Sequence, residues 1–231
     1  MKIGILQSGH APEALIGQTG DYDAIFARLL DGYGFTFQTW NVVDMQFPDN
    51  PSDADGWLIT GSRHGAYEGL PFIAPLETFV RDIYSAKRPL IGVCFGHQLI
   101  AQALGGKVEK FDGGWSVGRT EYTRTNGQTV AINAWHQDQV TKRPADAVLT
   151  ASSSFCENAM LTYGNSIWTV QAHPEMSNEF VDGLARTRGK GVVPDHILQE
   201  AQAKLDQPTD RLDVGADMAA FFKHAAHEAA A

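Results

Sequence analysis

The sequence predicts an α/β fold of three layers, a mostly parallel central sheet between helices, with antiparallel strands added to it. Two observations predict it. Strand and helix signals alternate up to about residue 106, as βαβ units require. After that, short strand signals follow one another with turn dipeptides between them. The 231 residues, 43% of them apolar, suffice for one core, and the chain is read as one domain, 1–231, with a helical C-terminal tail from about 178 to 231.

Each element has its own reason. Lys2–Gln7 is a short apolar run and reads as a buried strand. Asp21–Tyr33 places Ile25, Phe26, Leu29 and Leu30 at helical spacing, and glycines 32 and 34 end it. Phe35–Trp40, Gly56–Thr60 and Pro89–Val93 read as further strands, and Ile73–Ala86 and Gly96–Leu104 as helices. Beyond residue 106, Lys107–Phe111, Ser116–Tyr122, Gln128–Ile132, Ala147–Ser152, Ala159–Tyr163 and Ser166–Gln171 read as strands. Asn126-Gly127 and Gly164-Asn165 are hairpin signals between them. Asp182–Arg188, Pro194–Leu205 and Val214–Ala230 are expected helices, with a break at Asp206-Gln207-Pro208.

Composition excludes several classes. Lys+Arg of 18 against Asp+Glu of 27 gives a net charge of −9. Nucleic acid and anionic membranes both need a basic patch, so neither is an expected partner. The short basic stretch Arg186–Lys190 reads as a solvated helix end. The cysteines are only Cys94 and Cys156, which suggests a reducing compartment. The N-terminal apolar run is too short for a signal peptide, and no run approaches a membrane span. A cytoplasmic location is expected. No metal-ligand spacing and no Gly-x4-Gly-Lys phosphate loop occurs, so no metal or cofactor is expected.

One segment carries chemistry. Gly92-Val93-Cys94-Phe95-Gly96-His97-Gln98 lies after an apolar strand and before a helix. That is a nucleophile elbow with sulfur in place of serine oxygen. The sharp turn exposes the nucleophile at the carboxyl end of the sheet, and the helix N-terminus favours a thiolate and a developing oxyanion. A thiolate also needs a base and a group to orient that base. His173-Pro174-Glu175, after another predicted strand, supplies both. Taken singly, a cysteine after a strand is ordinarily a small buried hydrophobe and His-Pro-Glu a turn. Their joint occurrence at strand ends favours catalysis.

The elbow, continued by Leu99-Ile100-Ala101-Gln102-Ala103-Leu104-Gly105-Gly106, resembles the nucleophile segment of class I glutamine amidotransferases. Gln171-Ala172-His173-Pro174-Glu175 resembles their His–Glu segment, and Ile59-Thr60-Gly61-Ser62 occupies the position of their oxyanion loop. The resemblance covers roughly residues 1–180. Within the family, the chain is similar to GMP-synthase glutaminase domains and γ-glutamyl peptidases. The resemblance implies a flavodoxin-like sheet, a Cys94–His173–Glu175 triad, oxyanion donors at the N–H of Gly61 and Phe95, and substrate contacts from Gln98 and the Trp135–Asp138 stretch, His136 included. The implied substrate is glutamine or another γ-glutamyl small molecule. Nothing after the helical tail resembles a synthetase domain. Either a separate synthetase subunit receives the ammonia, or the enzyme acts alone. The stretch Trp135-His136-Gln137-Asp138-Gln139-Val140 resembles the His-Gln-Asp segment of γ-glutamyl peptidases, which favours the stand-alone reading. A catalytically silent binding subunit is the third alternative.

Other residues read blandly. His97 should point away from the nucleophile and be structural. Arg63 and His64 read as solvated loop, Trp115 as core and Cys156 as structural. His136 and Asp138 stay open between surface loop and substrate wall.

Overall fold

The computed structural model describes residues 1–230. Its elements run β1 (Lys2–Leu6), α1 (Glu13–Thr19), α2 (Tyr22–Leu29), β2 (Thr36–Trp40), β3 (Gly56–Ile59), α3 (Ile73–Ser85), β4 (Leu90–Val93) and α4 (Phe95–Ala103). Then come β5 (Lys107–Lys110), β6 (Ser116–Arg124), β7 (Thr129–His136), β8 (Asp138–Lys142), β9 (Ala147–Ser152), β10 (Met160–Tyr163) and β11 (Ile167–Val170). The chain continues through α5 (Asn178–Arg186), α6 (Asp195–Gln202) and α7 (Arg211–Ala230).

The main sheet has nine strands in the order β2-β1-β3-β4-β11-β10-β9-β6-β7. The β2-β1-β3-β4-β11 part is parallel throughout, which is the flavodoxin-like strand order. From β11 outward the pairing is antiparallel. The expected three-layer α/β class with added antiparallel strands is the observed one.

Side-chain alternation explains the layers. Ile3, Ile5, Leu58, Ile91, Val93 and Val170 point to one face, where Phe26 and Leu29 of α2 and Met218 and Phe222 of α7 cover them. Leu6, Trp57, Ile59, Leu90 and Ile167 point to the other, under Leu76 and Val80 of α3 and Leu99 and Ile100 of α4. Parallel strands buried on both faces read as continuous apolar runs, which is why these were legible.

Two expectations change, and two elements, β8 and α1, appear where none was expected. The strand at Lys107 does not join the main sheet; it pairs with β8 as a separate ribbon, fastened to α4 through Val108, Val140 and Ala101. Strand β8 itself, and the helix α1, carry weak local signals. The helix expected from Asp182 begins at Asn178, because the Ser177 hydroxyl accepts from the Phe180 N–H as an N-cap. In the same way Asp21 caps α2 by accepting from the Tyr22 N–H. Among the described residues no helix is long and apolar enough to cross a membrane.

Candidate active site

Strands β1, β3, β4 and β11 run parallel, so their carboxyl ends share one edge. In open α/β sheets this is where ligands bind. The elbow forms there. Cys94 has φ +52° and ψ −102°, a conformation that L-residues rarely adopt and that the flanking packing must hold in place. The glycines on either side permit it. A Cβ on Gly92 would lie 2.5 Å from Ile100 Cδ1 and 2.7 Å from the Gly96 carbonyl, and one on Gly96 would lie 2.5 Å from the Ile59 carbonyl oxygen. The helix therefore starts hard against β3 and β4, and the thiol faces a cleft of about 420 Å³.

His173 reaches the same place from β11. Its backbone N–H donates to the Asn133 carbonyl of β7, and its ring Nδ1 lies 2.6 Å from Glu175 Oε1. His173 and Glu175 are 3% and 1% exposed. Burial opposes charge on His173, but the Glu175 carboxylate and Cys94 outweigh it, so the imidazole pKa lies well above its ordinary value. Gly61 closes the group: a Cβ there would lie 2.8 Å from His173 Cε1 and 3.7 Å from Cys94 Cβ. Among the described residues, neither the Gly61 nor the Phe95 backbone N–H has an acceptor. All five residues thus meet at one point of the sheet edge.

Gln98 and His136 line the cleft with Cys94. The Gln98 amide nitrogen donates to the Asp138 carbonyl at 2.9 Å and to Gln171 Oε1 at 3.2 Å. Its own oxygen keeps its acceptor capacity. His136 ends β7 and is 3% exposed, and both ring nitrogens lack a partner in the structure. Burial, followed by the nearby His173, pushes its pKa down to about 3, so it is neutral. The surface-loop alternative for His136 is excluded. Asp138 also lines the cleft, where its carboxylate accepts from Tyr67 Oη at 3.1 Å.

The bland readings divide. His97 is structural: it is fully buried, its Nδ1 lies 2.8 Å from Thr169 Oγ1, and burial lowers its pKa to about 3. Cys156 is a buried free thiol whose pKa is pushed up to about 12 by burial. Trp115 is half-buried, packing against the Ala185, Val193 and Leu198 cluster while also lining the cleft, and Arg63 and His64 line the cleft rather than an isolated loop. Arg188, from the stretch read as a solvated helix end, lines it too. Tyr22, Tyr67, Lys110, Met176 and Leu184 complete walls that local spacing did not reveal. Among the described residues no group of three or more His, Cys, Asp or Glu side chains could hold a metal ion.

Comparison with known proteins shows the family and the fold. Residues 26–182 match the family "Glutamine amidotransferase class-I". The chain is 28% identical to gamma-glutamyl peptidase 4 of Arabidopsis thaliana over 204 residues, 81% of each protein. It is 39% identical to the glutamine-hydrolyzing GMP synthase subunit of Methanopyrus kandleri over 179 residues, 70% of this chain and 88% of that one. In fold it is similar to the crystal structure of a glutamine amido transferase from Methylobacillus flagellatus, with a TM-score of 0.77 at 20% identity, covering 99% of this chain and 94% of the other. The chain belongs to the class I glutamine amidotransferase family.

Proposed function

We propose that the chain hydrolyses a γ-glutamyl amide, glutamine being the simplest, through a γ-glutamyl thioester on Cys94. The carrying observation is the meeting of the strained Cys94 elbow with the His173–Glu175 pair at the floor of a cleft.

In the first step the Cys94 thiolate attacks the γ-carbonyl carbon, and the carbonyl electron pair moves to oxygen. The free N–H groups of Gly61 and Phe95 receive that oxyanion; such a donor contributes roughly 3 kcal/mol. The tetrahedral adduct collapses, the C–N bond breaks, and the leaving amine takes a proton from His173. In the second step water attacks the thioester and gives a proton to His173. The C–S bond breaks, releasing the γ-carboxylate and the thiolate. Glu175 holds the ring orientation and the imidazolium charge throughout. Gln98 and His136 supply neutral polar contacts to the γ-glutamyl half. The test is a screen of glutamine and γ-glutamyl amides with the isolated chain, reading released ammonia or amine and the mass of a Cys94 adduct. Absence of both release and adduct overturns the reading in favour of a silent binding subunit.

Two variants of this reading differ in the fate of the amine. The likeness to a GMP synthase subunit favours ammonia passed to a separate synthetase, which requires glutamine turnover to rise when that partner is added. Cleft size favours a stand-alone hydrolase of larger γ-glutamyl compounds. About 420 Å³ falls within the roughly 300–1,000 Å³ of pockets for drug-sized ligands, more than a free amino acid needs.

A further inference from the structure

The two walls of the cleft differ in chemistry. One comes from α4, the loop after β3, and the β5–β8 ribbon. It presents Gln98, Tyr67, Asp138 and Lys110, and so offers both signs of charge. The other comes from the start of α2, the end of β7, and α5 with the loop after it. It presents Tyr22, Trp135, Leu184 and Val193, with Arg188 as its cation.

An acyl carbon over Cys94 carries two chain substituents that diverge, so each half of the substrate meets one wall. A γ-glutamyl group ends in an ammonium and a carboxylate, which suits the wall of both signs. The leaving half meets the other wall, because the leaving nitrogen must reach His173. That residue bridges to Asn133 on β7, the strand carrying Trp135. Met176, just beyond it, packs with Tyr22 and Leu184.

Arg188 stands on this second wall. Its Nη2 donates to the His10 carbonyl at 3.0 Å, and its Nη1 to Tyr22 Oη at 3.4 Å. Both acceptors are neutral, and both fix the head. A guanidinium has five N–H donors, so several remain. Among the described residues no carboxylate lies within ion-pair distance of Arg188, although the chain carries 27 acidic residues. A held, half-buried guanidinium with spare donors is built for a carboxylate, which it can take with two parallel hydrogen bonds. Ammonia gives it nothing to bind, and neither does a neutral amine.

We propose that Arg188 receives a carboxylate on the leaving half of the substrate, so that the preferred substrates are γ-glutamyl amino acids or peptides, with an apolar residue next to the scissile bond facing Trp135 and Val193. The proposal rests on the hydrolase reading above and assigns the specificity of its leaving-group side. Arg188 acts in binding and not in the chemical step.

The experiment compares γ-glutamyl-leucine, its C-terminal carboxamide and glutamine, with the wild-type chain and Arg188→Gln. The wild type should prefer the free acid over the carboxamide by about tenfold or more in kcat/KM, chiefly through KM, and prefer it over glutamine as well. Arg188→Gln should reduce the acid-to-carboxamide ratio to within about twofold. Equal turnover of acid and carboxamide by the wild type overturns the proposal without reference to any variant. So does a variant that lowers both substrates by one factor. Release from none of the three overturns the hydrolase reading, and the proposal with it.

Discussion

The molecule buries a cysteine and a histidine in each of two neighbouring regions, and the two histidines shift in opposite directions. In the interior, Cys156 and His97 lie 1% and 0% exposed. No carboxylate pairs with either, so burial dominates, raising the thiol to about 12 and lowering the imidazole to about 3. Both are uncharged at neutral pH. At the sheet edge, Cys94 and His173 are nearly as buried, at 6% and 3%. There Glu175 lies 2.6 Å from the ring, and the His173 pKa moves up instead. Burial sets the magnitude of electrostatic effects, while the presence of a partner charge sets their direction. Both members of the edge pair also face a cleft, and Cys94 stands on a strained elbow, whereas the interior pair has neither feature.

Substitutions can break this contrast, and the largest effect is expected from Cys94→Ala. Steady-state amine release should fall at least about 10⁴-fold. Near-normal turnover in that variant would remove the thioester from consideration.

Glu175→Gln should follow, with a loss of about 10²-fold in kcat, since the ring keeps a neighbour but not its charge. The variant also makes His173 resemble His97, which a stability profile can read. In the wild type the folded pKa of His173 exceeds the unfolded value near 6.5. Its contribution to stability is therefore fully present below about pH 6.5 and is lost as pH rises through the higher folded pKa. Chemical denaturation at a series of pH values should show this decline, and Glu175→Gln, which leaves burial to act on the ring as it does on His97, should remove or reverse it. A wild-type profile in which the His173 contribution grows with pH has the wrong sign for a charged pair.

Gly61→Ala tests geometry alone. Its methyl would lie 2.8 Å from His173 Cε1, so the ring must shift. A displaced general base costs about 10- to 10²-fold in kcat, and the fold should survive. An unchanged kcat would mean that the ring position tolerates movement.

The smallest effect on activity belongs to Cys156→Ser. Amine release should stay within about twofold, while unfolding free energy falls by roughly 1–3 kcal/mol for a hydroxyl placed in an apolar cluster. A large loss of activity with intact stability would give Cys156 a part in the chemistry.

Much of this contrast was legible before folding. The Gly-x-Cys-x-Gly elbow and the His-Pro-Glu turn are local motifs, and each keeps its meaning within a few residues. The structural role expected of His97 holds, but for a tertiary reason: three residues beyond Cys94, its ring is buried against the Thr169 hydroxyl of β11. Arg188 was not legible. In sequence it belongs to a short basic run at a helix end, and only the return of the loop after α5 over Tyr22 and His10 turns it toward the cleft. Arg63 fails in the same way, because a residue's neighbours across a cleft leave no trace in its own spacing. Strand β5 left the expected sheet because its partner, β8, was hidden in a stretch without alternating apolar residues.

The sequence by itself determined the α/β class and the parallel core, and it marked Cys94, His173 and Glu175 as the proposed nucleophile, base and carboxylate. These depend on apolar periodicity and on motifs whose atoms are close along the chain. The tertiary structure decided which buried histidine carries charge, which polar side chains face the cleft and which wall holds the spare guanidinium. Those outcomes depend on distances between residues far apart in sequence, and such distances exist only once the strand ends are brought to one edge.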